Sequence, residues 1–337
     1  MATDRLTDRW PSRWPVQLVP KTRWARQQPT YREASPAVIE GAVKRASTRA
    51  SGNWFVFAAS RSVTSSTPLG ADVGGIELVA WRREDGSLVV GPGACPHLGA
   101  PLALAKVDCG TLVCRWHGLR VGSGTGRTGW DELPSYDDGV LCWVRLDQLG
   151  GETPTDVPPV PERPAGPALD AVAVLTGACE PVDIVANRLD PWHGAWFHPY
   201  SFSDLEVVSA PTEIHVAEAD DKFLVKVTFR LGGPFGVPVL AEFTCPGPRT
   251  VVMRIVEGEG LGSVVETHAT PLSPAADGTP RTAVIEATVA ASERPGFQLA
   301  RSAGRLLRPA MKWTAGRLWR DDLAYAERRY QLRSRGL

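Results

Sequence analysis

The chain has 337 residues, enough for about two domains, and 43% of them are hydrophobic, enough to bury a core as in an ordinary globular protein. Formal net charge is zero, but residues 1–50 hold ten Lys/Arg against four Asp/Glu and residues 294–337 hold eleven against three, so basic ends flank an acidic body. No apolar run approaches the ~18 residues of a membrane span, and the first residues lack the apolar run of a signal peptide. Six cysteines at scattered spacings suggest no disulfide framework; Cys109, Cys142, Cys179 and Cys245 are expected as buried thiols in a reducing cytoplasm.

Residues 1–50 read as a basic arm with Trp10, Trp14 and Trp24, followed by a short helix from Ser35. Ser35 is its expected N-cap and Pro36 its first residue, with Val38, Ile39, Ala42 and Val43 on one side. Interleaved basic and aromatic residues can stack bases, but packing against the protein itself is the preferred reading, so no nucleic-acid partner is expected. Residues 53–92 alternate as strands, with Asp85-Gly86 as a hairpin turn.

The stretch from Cys95 to His117 holds a Cys-x-His pair, sixteen intervening residues and a Cys-x-x-His pair. Two thiolates and two imidazoles suit a two-iron cluster in which Cys95 and Cys114 hold one iron and His97 and His117 the other, a Rieske [2Fe–2S] centre. Glycines behind each pair let the backbone fold closely around a cluster and aim amides at its sulfurs. A Cys2His2 zinc site is the alternative, although zinc spacings more often keep like residues together. CPHLGAPL followed by CRWHG resembles the cluster loops of Rieske non-haem iron oxygenases more than respiratory Rieske proteins, whose additional loop cysteines are here Ala100 and Arg115. The all-β cluster domain is expected over 51–149. A linker with six prolines follows at 150–168, with little to bury, and then a second domain at 169–337.

In that second domain, CEPVDIVANRLDPWHGAWFHPYSF places His193 and His198 five residues apart. On a continuous helix they would diverge by roughly 140°, so a shared metal needs a break between them, which Pro191 and Gly194 can supply. The stretch is similar to the mononuclear iron motif of the same oxygenase family. That resemblance implies that His193 and His198 are two ligands of an iron(II) ion. It further implies that Asp190 joins His193 to the cluster ligand of a neighbouring subunit in a trimer, and that Asn187 bonds near the metal. The third ligand in this family comes from a C-terminal helix, here RLWRDDLAYAERRYQL. Asp322 is preferred over Asp321 because Leu318, Trp319, Tyr325 and Ala326 surround it at helical spacing.

Five segments between 222 and 290 alternate as strands. His215 and His268 are expected in strands rather than as ligands, and Cys245 in the core. The resulting expectation is α+β: an all-β Rieske domain followed by a helix-grip, START-like antiparallel sheet closed by a long C-terminal helix. The resemblance implies a terminal oxygenase that uses O2 and electrons relayed from NAD(P)H by a separate reductase or ferredoxin, acting on an apolar, isoprenoid or polycyclic, substrate. Without the mononuclear iron, the chain would be an electron carrier fused to a ligand-binding domain. The basic, amphipathic segment 301–320 suggests either a packed helix or a contact with an anionic membrane surface.

Overall fold

A computed structural model describes residues 15–19, 27–122, 129–212 and 215–337. Trp10, Trp14 and Trp24 of the N-terminal arm lie outside the described residues. The first elements are a short strand, β1 (Gln17–Leu18), and helix α1 (Pro36–Ser47), which buries Ile39, Ala42, Val43 and Ala46. Ser35 stands at the N-cap position, but its hydroxyl makes no capping bond.

The cluster domain consists of three small antiparallel sheets. One pairs β2 (Trp54–Ala59), β10 (Leu141–Arg145) and β9 (Ser135–Asp137), and a second pairs β3 (Leu69–Val73), β4 (Ile76–Arg82) and β5 (Leu88–Pro92). The third, β6 (Lys106–Asp108), β7 (Thr111–Val113) and β8 (Arg120–Val121), fills the interval between the two ligand pairs. Cys109 sits in the β6–β7 turn with φ +47° and is exposed, not buried as the composition suggested. A two-residue hairpin turn points its side chains outward whatever their polarity. Cys142, Cys179 and Cys245 are buried and free, and burial pushes each thiol up to about 12.

The second domain is one antiparallel sheet in the order β11-β17-β16-β15-β14-β13-β12. Its strands are β11 (Leu169–Gly177), β12 (Phe202–Ser209), β13 (Phe223–Gly232), β14 (Phe235–Gly247), β15 (Thr250–Gly258), β16 (Val264–Leu272) and β17 (Arg281–Ala290). Pairing of β15 with β14 stops at Gly258 opposite Val239, and β1 takes up the start of β14 instead, at Gly236 and Phe235. Helix α2 (Pro181–Arg188), with Pro181 in its first turn and a Glu180/Asp183 capping box, runs along the sheet. Helices α3 (Pro295–Ser302) and α4 (Gly304–Arg333) close the fold, and α4 turns Ala315, Trp319, Asp322, Leu323 and Ala326 inward. No described helix is long and apolar enough to cross a membrane.

The two domains share a core. Trp54, Val56, Leu141 and Trp143 of the first pack with Val172, Ala283, Ile285 and Ala287 of the second. The Pro-rich connection is pinned rather than merely solvated. Glu152 accepts the amides of Ser51 and Gly52 at 2.6 and 3.0 Å. Arg163 bridges Asp138 of the cluster domain (2.7 Å) and Glu266 of β16 (2.5 Å). Burial alone would raise both carboxyls, and the Arg163 guanidinium more than reverses this, leaving both below their ordinary values. Arg249 lies 4.1 Å from the Phe55 ring and donates to the Trp54 carbonyl at 3.1 Å; burial lowers its pKa to about 10, so it remains charged at neutral pH.

Candidate metal centres

The cluster loops are two copies of one device. Gly99 N–H donates to the Cys95 carbonyl at 2.8 Å and Gly118 N–H to the Cys114 carbonyl at 3.0 Å, and both glycines have φ +74°. Each turn buries its cysteine (both 3% exposed) and leaves its histidine outside. The His97 and His117 rings face each other edge to face, 4.8 Å between centroids. Burial pushes the Cys95 thiol up, opposed by the amides of His97 and Leu98 aimed at its sulfur. Two sunken thiols beneath two outward imidazoles match the asymmetric donor set of a Rieske cluster. Behind them, Trp130 stacks at 5.5 Å on Trp81, and a Cβ at Gly91 would come within 2.2 Å of the Trp130 ring.

The second centre forms where α2 ends. A 3-10 turn at Pro191–His193 and one helical turn at Gly194–Phe197 break the helix between the two histidines. His198, just past that turn, is 1% exposed, and its Nε2 lies 2.8 Å from Asp322 Oδ1. His193 Nε2 lies 3.1 Å from the same oxygen, and the three donor atoms all fall within 4.8 Å of one another. Burial would raise Asp322, but its hydrogen bonds to His193 and His198 hold it well below the usual carboxylate range. Asp321 stays outside the triad: its Oδ2 lies 3.6 Å from His198 Nδ1, not from the Nε2 that faces Asp322, and its side chain is 41% exposed.

The remaining ring nitrogens are anchored. The Asp190 backbone carbonyl beside His193 Nδ1 only accepts, so that nitrogen carries a proton, and in a metal-loaded site Nε2 of each ring would be the bare ligand nitrogen. His193 Nδ1 then donates to the Asp190 backbone carbonyl, with the Asp190 carboxylate at 3.8 Å. His198 Nδ1 lies 3.3 Å from the Tyr200 hydroxyl, which donates to Asp321 at 2.5 Å. Asn187 donates to Asp322 at 3.2 Å, while its own carbonyl oxygen is buried without a partner among the described residues. Asp190 is 6% exposed; Tyr325 donates to one of its oxygens at 3.2 Å and the other is unpartnered among the described residues. Two imidazoles and one carboxylate converging from one side fit a divalent iron with open positions opposite.

Those open positions face a cavity of about 70 Å³, walled by apolar side chains such as Phe202, Val227, Phe229, Phe243 and Met253. Besides Asp190 and Asp322, two further charged residues line it, Arg188 from the end of α2 and Glu286 from β17. Glu286 is 5% exposed and accepts Trp319 Nε1 at 2.5 Å and the Thr267 hydroxyl at 3.3 Å. Burial raises its pKa, opposed by Arg188 and the Trp319 bond.

Sequence reasoning named His193, His198, Asp322, Asp190 and Asn187, and all five gather here. It did not single out Tyr200, Tyr325, Arg188 or Glu286. A carboxylate inside the apolar strand TAVIEATVA was the one visible signal, for Glu286. His268 lies on β16, buried, and bonds Thr250 at 3.1 Å. His215 is not in a strand as expected; it lies exposed in an irregular segment just ahead of a 3-10 turn at Glu218–Asp220.

The chain thus joins a domain bearing two Cys/His loops to an antiparallel sheet packed on a long helix, with two histidines and a carboxylate converging at that helix. Residues 53–137 match the model of the Rieske [2Fe-2S] domain. Residues 149–337 match a domain of unknown function, DUF5914, and the chain belongs to that family. It is 36% identical over 180 residues to a vanillate O-demethylase oxygenase subunit of Pseudomonas sp. (strain HR199 / DSM 7063), a match covering 48% of this chain and 49% of that protein. The chain thus spans about half the length of that curated relative. Two solved structures share the fold. Dicamba monooxygenase bound to dicamba superposes with a TM-score of 0.55 at 17% identity, over 85% of this chain and 90% of that one. The terminal oxygenase of carbazole 1,9a-dioxygenase from Novosphingobium sp. KA1 does so with a TM-score of 0.53 at 15% identity, over 90% and 89%.

Proposed function

We propose that the chain is the terminal oxygenase component of a Rieske-type system that oxygenates an apolar small molecule, with electrons from NAD(P)H delivered by a separate reductase. The observation that carries this is the convergence of His193 Nε2, His198 Nε2 and Asp322 Oδ1 within 4.8 Å at the floor of an apolar cavity, in a chain that also has the cluster loops. His193, His198 and Asp322 would hold the iron, and Cys95, Cys114, His97 and His117 the cluster. When bound, these groups supply one-electron transfer and O2 activation. Tyr200 with Asp321, and the Asp190 carbonyl, fix the imidazole tautomers so that Nε2 faces the metal. Asn187 holds the Asp322 carboxylate in place. The phenylalanine and valine walls exclude water from the reacting face.

Three finer points belong to the same reading. The substrate end that reaches the metal is small, because about 70 Å³ is roughly half of the ~150 Å³ that accommodates benzene in an engineered cavity. An isoprenoid or polycycle would present one edge only. Asp190, with one buried oxygen unpartnered among the described residues, suits a bridge to His117 of a second copy in a homotrimer, which light scattering on the intact protein tests. Leu299, Leu306 and Trp313 are 75, 80 and 60% exposed on α3 and α4, and residues 294–320 carry seven Lys/Arg and no Asp/Glu. That face suits an anionic membrane surface. Flotation with anionic but not neutral vesicles is expected, and its absence removes the membrane contact.

The test of the function is total iron and acid-labile sulfide on anaerobically purified protein. The expected ratio is about three irons to two sulfides, falling to about two irons in His193→Ala and Asp322→Ala with the cluster spectrum retained. About two irons in all three would leave an electron carrier and end the oxygenase reading.

A further inference from the structure

We propose that Arg188 is the substrate anchor of the cavity, and that the substrate is a small organic acid whose carboxylate meets the guanidinium while its carbon skeleton lies toward His193, His198 and Asp322. The inference rests on the cavity being the oxygenation site. Arg188 is the last residue of α2 and its guanidinium carbon lies 5.8 Å from the Phe243 ring and 5.9 Å from the Trp319 ring. Its Nε is buried with no hydrogen-bond partner among the described residues. Aromatic faces attract the cation but accept none of the five N–H donors in its plane.

The nearby acid does not fill that role. Glu286 spends one oxygen on Trp319 and Thr267, and no ion pair within 4.0 Å joins it to Arg188 among the described residues. The other carboxylate at the cavity floor, Asp322, is shared by two imidazoles and Asn187. Asp190, a third carboxylate lining the cavity, takes the Tyr325 hydroxyl, and no ion pair within 4.0 Å joins it to Arg188 among the described residues. Beyond these groups and the two histidines the wall is apolar, so the acceptor for Arg188 has to arrive with the ligand. A planar fork of donors matches a carboxylate at two points, whereas an amide or hydroxyl offers one neutral oxygen. A site left with an unpaired buried donor discriminates strongly against analogues that lack the acceptor.

The experiment uses three probes with one five-carbon skeleton, 3-methylbutanoate, 3-methylbutanamide and 3-methylbutan-1-ol, titrated by saturation-transfer NMR against the intact, iron-loaded protein. The acid is expected to bind at least tenfold tighter than the other two, in the parent and equally after the mononuclear iron has been removed from it by chelation. That preference is expected to vanish in Arg188→Gln and to survive in part in Arg188→Lys. Equal affinities, or no binding by any probe, overturn the assignment on the parent protein alone, so it stays testable if Arg188→Gln does not fold. A preference that persists in Arg188→Gln overturns it, as does one lost on chelation of the mononuclear iron, where the metal rather than Arg188 would have been taking the carboxylate. Failure of the oxygenase reading shows separately, as iron no higher than the cluster requires on the same samples.

Discussion

Replacing Arg163 with alanine removes the cation that holds the connection between the domains. Glu266 is 0% and Asp138 4% exposed at their side chains, and Arg163 meets both with hydrogen bonds of 2.5–3.1 Å. Removing one partner of such a buried set strands the others, at a cost of about 3–5 kcal/mol. With an unfolding entropy near ~2.1 cal/mol/K per residue, that corresponds to a fall of roughly 4–7 °C in Tm for a chain of 337 residues. Scanning calorimetry on the cluster-loaded protein measures it. The sign with pH follows from the carboxyls. Both are lowered in the folded state, so their contribution is full above their unfolded values of ~4 and is lost as pH falls through the native ones. In the variant burial is largely unopposed and raises both carboxyls, so the gap between parent and variant is expected to be greatest at high pH, to narrow as pH falls through those raised values, and to narrow further below about pH 4. Adding Asp138→Asn and Glu266→Gln to Arg163→Met should recover most of the loss, since the cost lies in stranded charge. A shift under 1 °C in Arg163→Ala, or a triple variant no better than the single one, would refute the argument.

Other outcomes follow from single contacts. Tyr200→Phe loses the hydroxyl between His198 and Asp321, and is expected to weaken mononuclear iron binding about 10–100-fold without altering the cluster spectrum, as read by chelator competition. Gly91→Ala drives a methyl group into the Trp130 ring, and should cost about 1–3 kcal/mol with faster loss of cluster absorbance in denaturant. Iodoacetamide at pH 8 should label Cys109 and spare Cys142, Cys179 and Cys245, whose buried thiols titrate near 12; peptide mass spectrometry reads the result.

The parts legible in the sequence were those whose geometry is local. Cluster ligands come in two short loops, and the break at Pro191 and Gly194 that lets His193 and His198 converge is written between them. Asp322 was separable from Asp321 because helical phase alone decides which one faces Trp319 and Ala326. β11 escaped notice for a physical reason: Leu169 to Ala173 are buried in an unbroken run, so its sequence lacks the alternation that marks a one-sided strand. Tyr200, Arg188 and Glu286 escaped for another. Their partners, Asp321, Trp319 and Thr267 among them, lie too far along the chain or in another element, and no periodicity encodes such contacts. Cys109 was misjudged by treating residue type as a guide to burial where a turn decides it, and His215 by reading a strand pattern into an irregular segment.

The core that Trp54, Val56, Leu141 and Trp143 share with Val172, Ala283, Ile285 and Ala287 makes the two halves thermodynamically one object. Neither can melt without opening the other's apolar face to water. A chromophore held by Cys95, Cys114, His97 and His117 would therefore report on a domain it never touches. Its colour would fade in step with the sheet around Asp322, giving an optical gauge of whether the distant, colourless centre is still intact.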